Sequence, residues 1–177
     1  IESPMKDGSL IPRTIGLIGD ISEAKAEEVL GTLLHVAETG RVTTPANSAD
    51  PESEMIEVRK PIDMYLSTYG GSVVDMFAIY DLMAHLKKEY VINTIGLGKV
   101  MSAGVLLLAA GTKNHRKMGR NCRIMLHNVM AGYHGSLTTI ENEIEEVKWL
   151  QERYIDCLFC NTKLSRRKIQ KMLSKQI

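Results

Sequence analysis

Ser102 stands between a glycine-rich stretch and an apolar run in the segment GLGKVMSAGVLLLAAG, residues 96–111. A serine hydroxyl becomes an effective nucleophile only when a base takes its proton and donors stabilise the resulting oxyanion. The start of a helix supplies such donors, because its first N–H groups lack intrahelical acceptors and its dipole favours negative charge. The same position is also where serine commonly acts as a helix N-cap. The local sequence leaves both interpretations open.

The glycines around Ser102 do not form a nucleotide-binding loop. A P-loop requires G-x-x-x-x-G-K-[ST], in which backbone amides hold phosphate and the hydroxyl reaches Mg²⁺. Relative to Gly98, the first glycine position is Asn93, and the residue after Lys99 is Val100. The pattern therefore fails at both ends.

The composition indicates a globular protein of one domain. The chain has 177 residues, is 44% hydrophobic and carries a formal net charge of +1. Without a positive excess there is no electrostatic reason to expect nucleic acid or an anionic membrane as partner. No apolar stretch approaches the roughly 18 residues of a membrane span, and the first ten residues lack the pattern of a signal peptide.

The three cysteines favour a reducing compartment over a disulfide framework. We therefore expect the cytoplasm or an equivalent compartment, with a plastid or mitochondrial matrix left open. Cys157 and Cys160 form C-x-x-C inside a helical pattern, without a partner pair or histidines at zinc spacing. We predict two free thiols and no metal site.

Alternating strand and helix patterns predict an α/β domain with mainly parallel pairing. The β-prone runs lie at 14–20, 61–68, 90–96, 116–119 and 122–127. Helices are predicted to end near Glu38, Lys87, Gly111, Asn161 and Leu173. Two pairs resemble capping boxes, Asp20 with Glu23 and Thr138 with Glu141, and Ser165 is expected to cap the last helix.

Apolar spacing predicts the buried faces of two helices, and one segment has no such pattern. The first helix is expected to bury Ala26, Val29, Leu30, Leu33, Leu34 and Ala37. The long helix is expected to bury Ile140, Ile144, Val147, Leu150, Tyr154 and Leu158. Residues 40–60 contain two prolines, small polar residues and acids, which predict a mobile surface loop or flap.

Three blocks of the sequence resemble the proteolytic subunit of the Clp (caseinolytic) protease. The blocks are YGGSVVDMFAIYDLM, GKVMSAGVLLLAAGTKNHRKMGRNCRIMLHN and AGYHGSLTTIENEIEEVKWLQERY. With residues 14–38, the resemblance covers about three quarters of the chain. The second block is specific, because a serine before a small residue, a glycine and a leucine-rich helix is followed 25 positions later by a histidine.

The resemblance implies a catalytic site. Ser102 would be the nucleophile, His127 the general base, and the backbone N–H groups of Gly71 and Ala103 the oxyanion hole. His127 is the one of five histidines that closes a β-prone run and fits the motif. The family's triad aspartate falls on Gln176, which can orient an imidazole but cannot balance its positive charge.

Other departures concern the substrate groove and the partner. Tyr69 stands where the family has a proline before the paired glycines, which changes the rim of the groove. In the hydrophobic pocket where the family's ATPase docks, Asp63 replaces an aromatic residue, whereas Tyr65 remains aromatic. A carboxylate in place of an apolar anchor is expected to weaken docking.

The resemblance also implies the architecture. It describes one domain over 1–177, a Clp-protease/crotonase-like α/β spiral of β-β-α units with a protruding strand–helix handle at 129–161. Residues 1–13 would form a short N-terminal arm, residues 40–60 an insertion, and the family's C-terminal strand and helix are absent. The subunit would assemble with itself into two stacked heptameric rings.

The implied function is a serine endopeptidase that hydrolyses unfolded polypeptides inside this barrel. It needs no metal or cofactor of its own, since a separate AAA+ unfoldase would use the ATP. One alternative is a catalytically impaired structural subunit, favoured by Gln176 and disfavoured by the intact Ser102 and His127. Another is an acyl-CoA enzyme of the crotonase type, which would place acids at the site instead of a serine and a histidine.

Overall fold

The computed structural model describes residues 13–50 and 52–175. These residues form strands and helices in the following order: β1 (Thr14–Ile18), α1 (Glu23–Thr39), β2 (Arg41–Pro45), β3 (Met55–Arg59), β4 (Ile62–Thr68), α2 (Val73–Leu86), β5 (Ile92–Met101), α3 (Ala103–Ala109), β6 (Arg116–Met118), β7 (Arg123–Met125), α4 (Leu137–Asn161) and α5 (Arg166–Lys175). Gln176, the expected position of the triad acid, lies outside the described residues, as does most of the expected arm at 1–13.

A parallel sheet forms the centre of the domain. Its strand order is β1-β4-β5-β6, and β7 also pairs with β5. Every second residue of β4 is buried, starting with Ile62, because successive side chains point to opposite faces. The prediction of an α/β fold with mainly parallel pairing is confirmed. Since the strands are parallel, their carboxyl ends share one edge, which is where ligand sites of such sheets form.

The core lies between this sheet and the helices that pack on it. Helix α1 contacts α2, α2 contacts α3, and α3 contacts α4. All seven residues of α3 are buried, which explains why its sequence is an unbroken apolar run without a polar face. The buried side chains of α1 are Ala26, Val29, Leu33, Val36 and Ala37. The predicted face is therefore mostly correct, but Leu34 is 55% exposed.

Strand β5 is longer than predicted, because the GLGKVM stretch is strand and not a glycine-rich turn. Its first half pairs with β6, from Thr94 to Gly96, and its last three residues pair with β7. Opposite β4, the register shifts so that Gly96 to Val100 faces Leu66 to Thr68. This β-bulge bends the strand and directs Met101 toward the helix start at Ala103.

The 40–60 segment is a β-hairpin and not the loop that was predicted. Strands β2 and β3 pair antiparallel from Arg41 with Arg59 to Pro45 with Met55. The β-branched residues of both strands favour this pairing, and Pro45 is the last residue of β2. At the base, Glu89 accepts from Arg59 at 3.2 Å, and Arg59 lies over the ring of Tyr90.

Two of the three predicted helix N-caps are wrong, and one is confirmed. Ser22, and not Asp20, caps α1 by accepting from the Lys25 N–H, and Ser136, and not Thr138, caps α4. The caps follow from where the helices begin, because Ser22 directly precedes Glu23 and Ser136 directly precedes Leu137. The predicted cap at Ser165 is confirmed, since it accepts from the Lys168 N–H at 3.3 Å.

The first half of α4 projects from the domain. The residues of α4 that are buried are Tyr154, Ile155 and Leu158, all in its second half. The predicted stripe is therefore wrong for the first half, where Ile144 is exposed together with Trp149. The strand expected at the start of the 129–161 handle is not formed within the described chain, where no strand lies between β7 and α4. Within the described residues, no helix combines the length and hydrophobicity needed to cross a membrane.

Candidate active site

Gly70 and Gly71 form a tight turn at the carboxyl end of β4. Their φ angles are +104° and +145°, values that glycine adopts without the clash of a Cβ. A parallel bridge fixes the turn: the Ile21 N–H donates to the Gly70 carbonyl at 2.8 Å, and the Ser72 N–H donates to the Ile21 carbonyl at 2.8 Å. In this pattern the N–H of Gly71 itself points away from Ile21. It is therefore free to face the cleft.

Ser102 occupies the junction between β5 and α3 in a left-handed backbone conformation. Its φ is +53° and its ψ is −127°, and its N–H donates to the Met125 carbonyl at 2.8 Å. Its side chain makes no capping hydrogen bond, unlike those of Ser22, Ser72 and Ser136. Ser102 thus has the N-cap position of α3, but its hydroxyl does not cap the helix. A non-glycine residue in such a region costs of order 1–3 kcal/mol and is typical of functional turns.

His127 follows β7 at the same edge of the sheet. Its Nδ1 lies 2.6 Å from the Asn128 carbonyl oxygen. Because a carbonyl can only accept, this contact assigns the proton of a neutral imidazole to Nδ1. The Nε2 lone pair is then available as a base. This is the tautomer that a triad requires, here held by the backbone.

Ser102 and His127 line one open cleft of about 190 Å³. The backbone positions predicted for the oxyanion hole, Gly71 and Ala103, line the same cleft. Its other walls are mostly apolar or aromatic: Tyr69, Val73, Asn128, Val129, Met130 and Tyr154. No carboxylate belongs to the described residues that line it. The four positions from distant parts of the chain thus come together, without an acid among them.

Asp63 and Tyr65 do not line this cleft. They lie on β4, half-exposed, on the face opposite its buried residues. Asp63 accepts from the Asn93 side-chain amide at 2.6 Å, and the Asn93 oxygen lies 2.8 Å from His115 Nδ1. A polar network therefore covers the position expected to be a hydrophobic docking pocket.

Two residues of α4 that hold this cleft were missed as site residues. The Tyr154 hydroxyl donates to the Ser102 carbonyl at 2.8 Å, and Gln151 Oε1 accepts from the Val129 N–H at 2.7 Å. The available signal was a phenol within an otherwise aliphatic stripe, since buried tyrosines usually have a partner for their hydroxyl. At the rim, the Lys99 ammonium lies 4.4 Å from the ring centre of Tyr69.

The three cysteine thiols do not line the cleft. Among the described residues, no group of three or more His, Cys, Asp or Glu side chains is arranged to hold a metal ion. Cys122, Cys157 and Cys160 are free thiols, and burial raises the pKa of Cys157. The described cleft thus contains a hydroxyl, an imidazole and backbone N–H groups.

Comparison with known proteins identifies the family of this chain. The family model for Clp protease matches residues 53–177. The ATP-dependent Clp protease proteolytic subunit 1 of Prochlorococcus marinus subsp. pastoris (strain CCMP1986 / NIES-2087 / MED4) is 40% identical over 114 residues, 64% of this chain and 54% of the relative. The protein of the same description from Prochlorococcus marinus (strain MIT 9312) is 41% identical over 108 residues, 61% of this chain and 51% of the relative.

The chain spans about half the length of these curated relatives. The family match covers most of the chain and includes both Ser102 and His127. The chain belongs to the Clp protease family.

Proposed function

We propose that this chain is a serine-type endopeptidase subunit that hydrolyses peptide bonds of unfolded polypeptides. The observation that carries the proposal is the state of Ser102. Its hydroxyl caps no helix, its backbone is left-handed, and it lines one cleft with His127, Gly71 and Ala103. Family membership adds to this proposal, because both curated relatives are described as proteolytic subunits.

The proposed reaction begins with attack of Ser102 Oγ on the carbonyl carbon of the substrate. His127 Nε2 takes the hydroxyl proton as the Oγ–C bond forms, and the negative charge develops on the carbonyl oxygen. The imidazolium then gives its proton to the leaving amine as the C–N bond breaks. Water hydrolyses the ester by the same path, which returns the proton to the serine.

The N–H groups of Gly71 and Ala103 would stabilise the oxyanion. Ala103 is the first residue of α3, so its N–H has no intrahelical acceptor, and the Gly71 N–H points away from the bridge to Ile21. Donors of this kind act at little cost because the fold has already fixed them. An extended substrate would lie beside the Gly70–Gly71 turn, where backbone hydrogen bonds supply affinity.

No carboxylate lines the cleft among the described residues, and this favours one alternative function. His127 Nδ1 contacts a backbone carbonyl, which is neutral and does not balance an imidazolium as a carboxylate does. Loss of the carboxylate in a Ser-His-Asp enzyme costs on the order of 10⁴ in kcat. The second candidate is therefore a catalytically impaired subunit that serves the assembly.

The assembly and partners are part of the same proposal. We infer a barrel of two stacked heptameric rings, a tetradecamer of this chain, fed by a separate AAA+ unfoldase that uses ATP. The polar network of Asp63, Asn93 and His115 supports weak docking of such a partner, because apolar anchors dominate interfaces of this type. A reducing compartment such as the cytoplasm is proposed from the free thiols.

The test is intact mass after incubation with an alkyl fluorophosphonate. We expect one adduct per chain on the parent protein and none on Ser102→Ala. Ser165→Ala is the matched control, because it removes a serine that caps a helix, and this variant should label like the parent.

Two results would contradict the proposal. An adduct on Ser102→Ala would place the reactive group elsewhere. No adduct on a parent protein that sizes as a ring assembly would favour the impaired structural subunit.

A further inference from the structure

One helix holds both sides of the cleft. Gln151 and Tyr154 are three residues apart on α4, so their side chains lie on the same face of the helix. Gln151 contacts the segment that carries His127, and Tyr154 contacts the turn that carries Ser102. These two contacts connect residues far apart in sequence to one rigid element.

The Tyr154 contact supports the strained residue itself. Tyr154 is 3% exposed, and its hydroxyl donates to the Ser102 carbonyl at 2.8 Å. The same carbonyl accepts from the Val105 N–H at 3.0 Å, so the phenol is its second donor. Burial raises the pKa of Tyr154, which keeps the phenol protonated and able to donate. The contact thus opposes rotation of the left-handed Ser102 backbone.

The Gln151 contact supports the base. Residues 127–136 form no strand within the described chain, so no ladder of hydrogen bonds fixes this segment there. Gln151 Oε1 accepts from the Val129 N–H at 2.7 Å, two residues after His127. A single side-chain acceptor therefore anchors the stretch that follows the imidazole.

We propose that Gln151 and Tyr154 are positioning residues that set the distance and orientation between Ser102 and His127. This inference rests on the proposed peptidase function for its kinetic consequence, though the contacts themselves do not depend on it. Neither residue touches the reacting atoms through its hydrogen bond. Each acts through the backbone of the residue or segment that it holds.

The variants separate the hydrogen bond from the volume of the side chain. Tyr154→Phe keeps the ring in the cleft wall and removes the hydroxyl, and Gln151→Met removes the acceptor at similar length. Gln151→Glu keeps an acceptor oxygen and should restore what Gln151→Met loses. Tyr80→Phe is the matched control, because it removes a tyrosine hydroxyl that accepts a hydrogen bond from the Asn161 side-chain amide at 2.8 Å, away from the cleft.

The readouts are the rate of fluorophosphonate labelling, kcat and KM on a fluorogenic peptide amide, and backbone hydrogen exchange. For Tyr154→Phe we expect kcat and the labelling rate to fall about three- to tenfold with KM unchanged, the effect of one neutral hydrogen bond. Amides between Ser102 and Val105 should exchange faster. Gln151→Met should likewise lower kcat and the labelling rate, and it should accelerate hydrogen exchange around Val129. Tyr80→Phe should leave kcat and the exchange rates of both regions unchanged.

The outcomes distinguish the two proposals. If the parent does not label but Tyr154→Phe still accelerates exchange at Ser102, the peptidase proposal fails and the positioning role holds. If the parent labels while Tyr154→Phe matches it in rate and exchange, the positioning role fails alone. A rise in KM without a change in kcat would also overturn it, since that result makes Tyr154 a wall of the substrate pocket only.

Discussion

Replacement of Gly71 by alanine tests the oxyanion donor most directly. A Cβ at Gly71 would lie 2.1 Å from the Ile21 carbonyl oxygen and 2.8 Å from the Ile21 nitrogen, both backbone atoms. Since backbone atoms cannot rotate out of the way as the end of a side chain can, the Gly70–Gly71 turn must move. The move breaks the bridge to Ile21 and swings the Gly71 N–H out of its direction toward the cleft.

Two different magnitudes follow from this geometry. The φ of +145° is strained for alanine by about 1–3 kcal/mol, and each of the two bridge hydrogen bonds contributes about 1 kcal/mol net. Together these terms lower the free energy of unfolding by about 3–5 kcal/mol, to be compared with the roughly 5–15 kcal/mol by which a domain is typically stable. Loss of one oxyanion donor should lower kcat by about 10²–10³.

The assay must separate these two losses. Gly31 is exposed within α1, and a Cβ there would contact nothing within 4 Å. Gly31→Ala should therefore stabilise the protein by about 0.5–1 kcal/mol through helix propensity, and the two effects should add because they share no partner. Urea denaturation gives stability, and cleavage of a fluorogenic peptide gives kcat. Recovery of kcat in the double variant, or a kcat for Gly71→Ala within threefold of the parent, would refute the assignment.

The remaining predictions concern packing, ion pairs and thiols. Leu33→Ala should lower the free energy of unfolding by about 2–5 kcal/mol, because Leu33 is fully buried. Leu34→Ala should lower it by under about 1 kcal/mol, because Leu34 is 55% exposed. Equal losses in urea denaturation would contradict the buried face assigned to α1. Glu89→Gln should lower stability by under about 1 kcal/mol, because its partners Arg41 and Arg59 are solvent-accessible, and the difference should vanish in high salt; a salt-independent loss in thermal unfolding would argue against an ion pair. Iodoacetamide at neutral pH should modify exposed Cys160 before Cys157, because burial raises the pKa of Cys157 and lowers its thiolate fraction; peptide mapping that finds equal rates would contradict this.

Elements whose burial is reflected in a regular apolar pattern or an unbroken apolar run were predictable from the sequence. Alternating burial in β4 and the repeat in α1 are direct consequences of side-chain geometry, and the apolar run of α3 follows from its position inside the core. Leu34 was misassigned because neighbouring leucines at 33 and 34 fit the helical repeat about equally well. Contacts with other elements decide between them, and these are not local.

The full length of β5 and the hairpin at 40–60 were not predictable, because each depends on which strands pair. Gly96 and Gly98 suggested a turn, yet two short strands pair with successive halves of β5 and keep it extended to Met101. The hairpin at 40–60 was predicted as a loop because the sequence between its strands is polar. For the candidate site, the residue types indicated a nucleophile or a cap at Ser102, and only the backbone angles and the unused side chain distinguish these alternatives.

The projecting half of α4 gives the protein an intrinsic optical reporter. Trp149 is the only tryptophan in the sequence and is 54% exposed, beside the guanidinium of Arg153. Its emission in an isolated subunit should be that of a hydrated indole, and it should shift to shorter wavelength when another surface covers this part of α4. Fluorescence during serial dilution would therefore report the concentration at which the helix becomes uncovered, without any added dye.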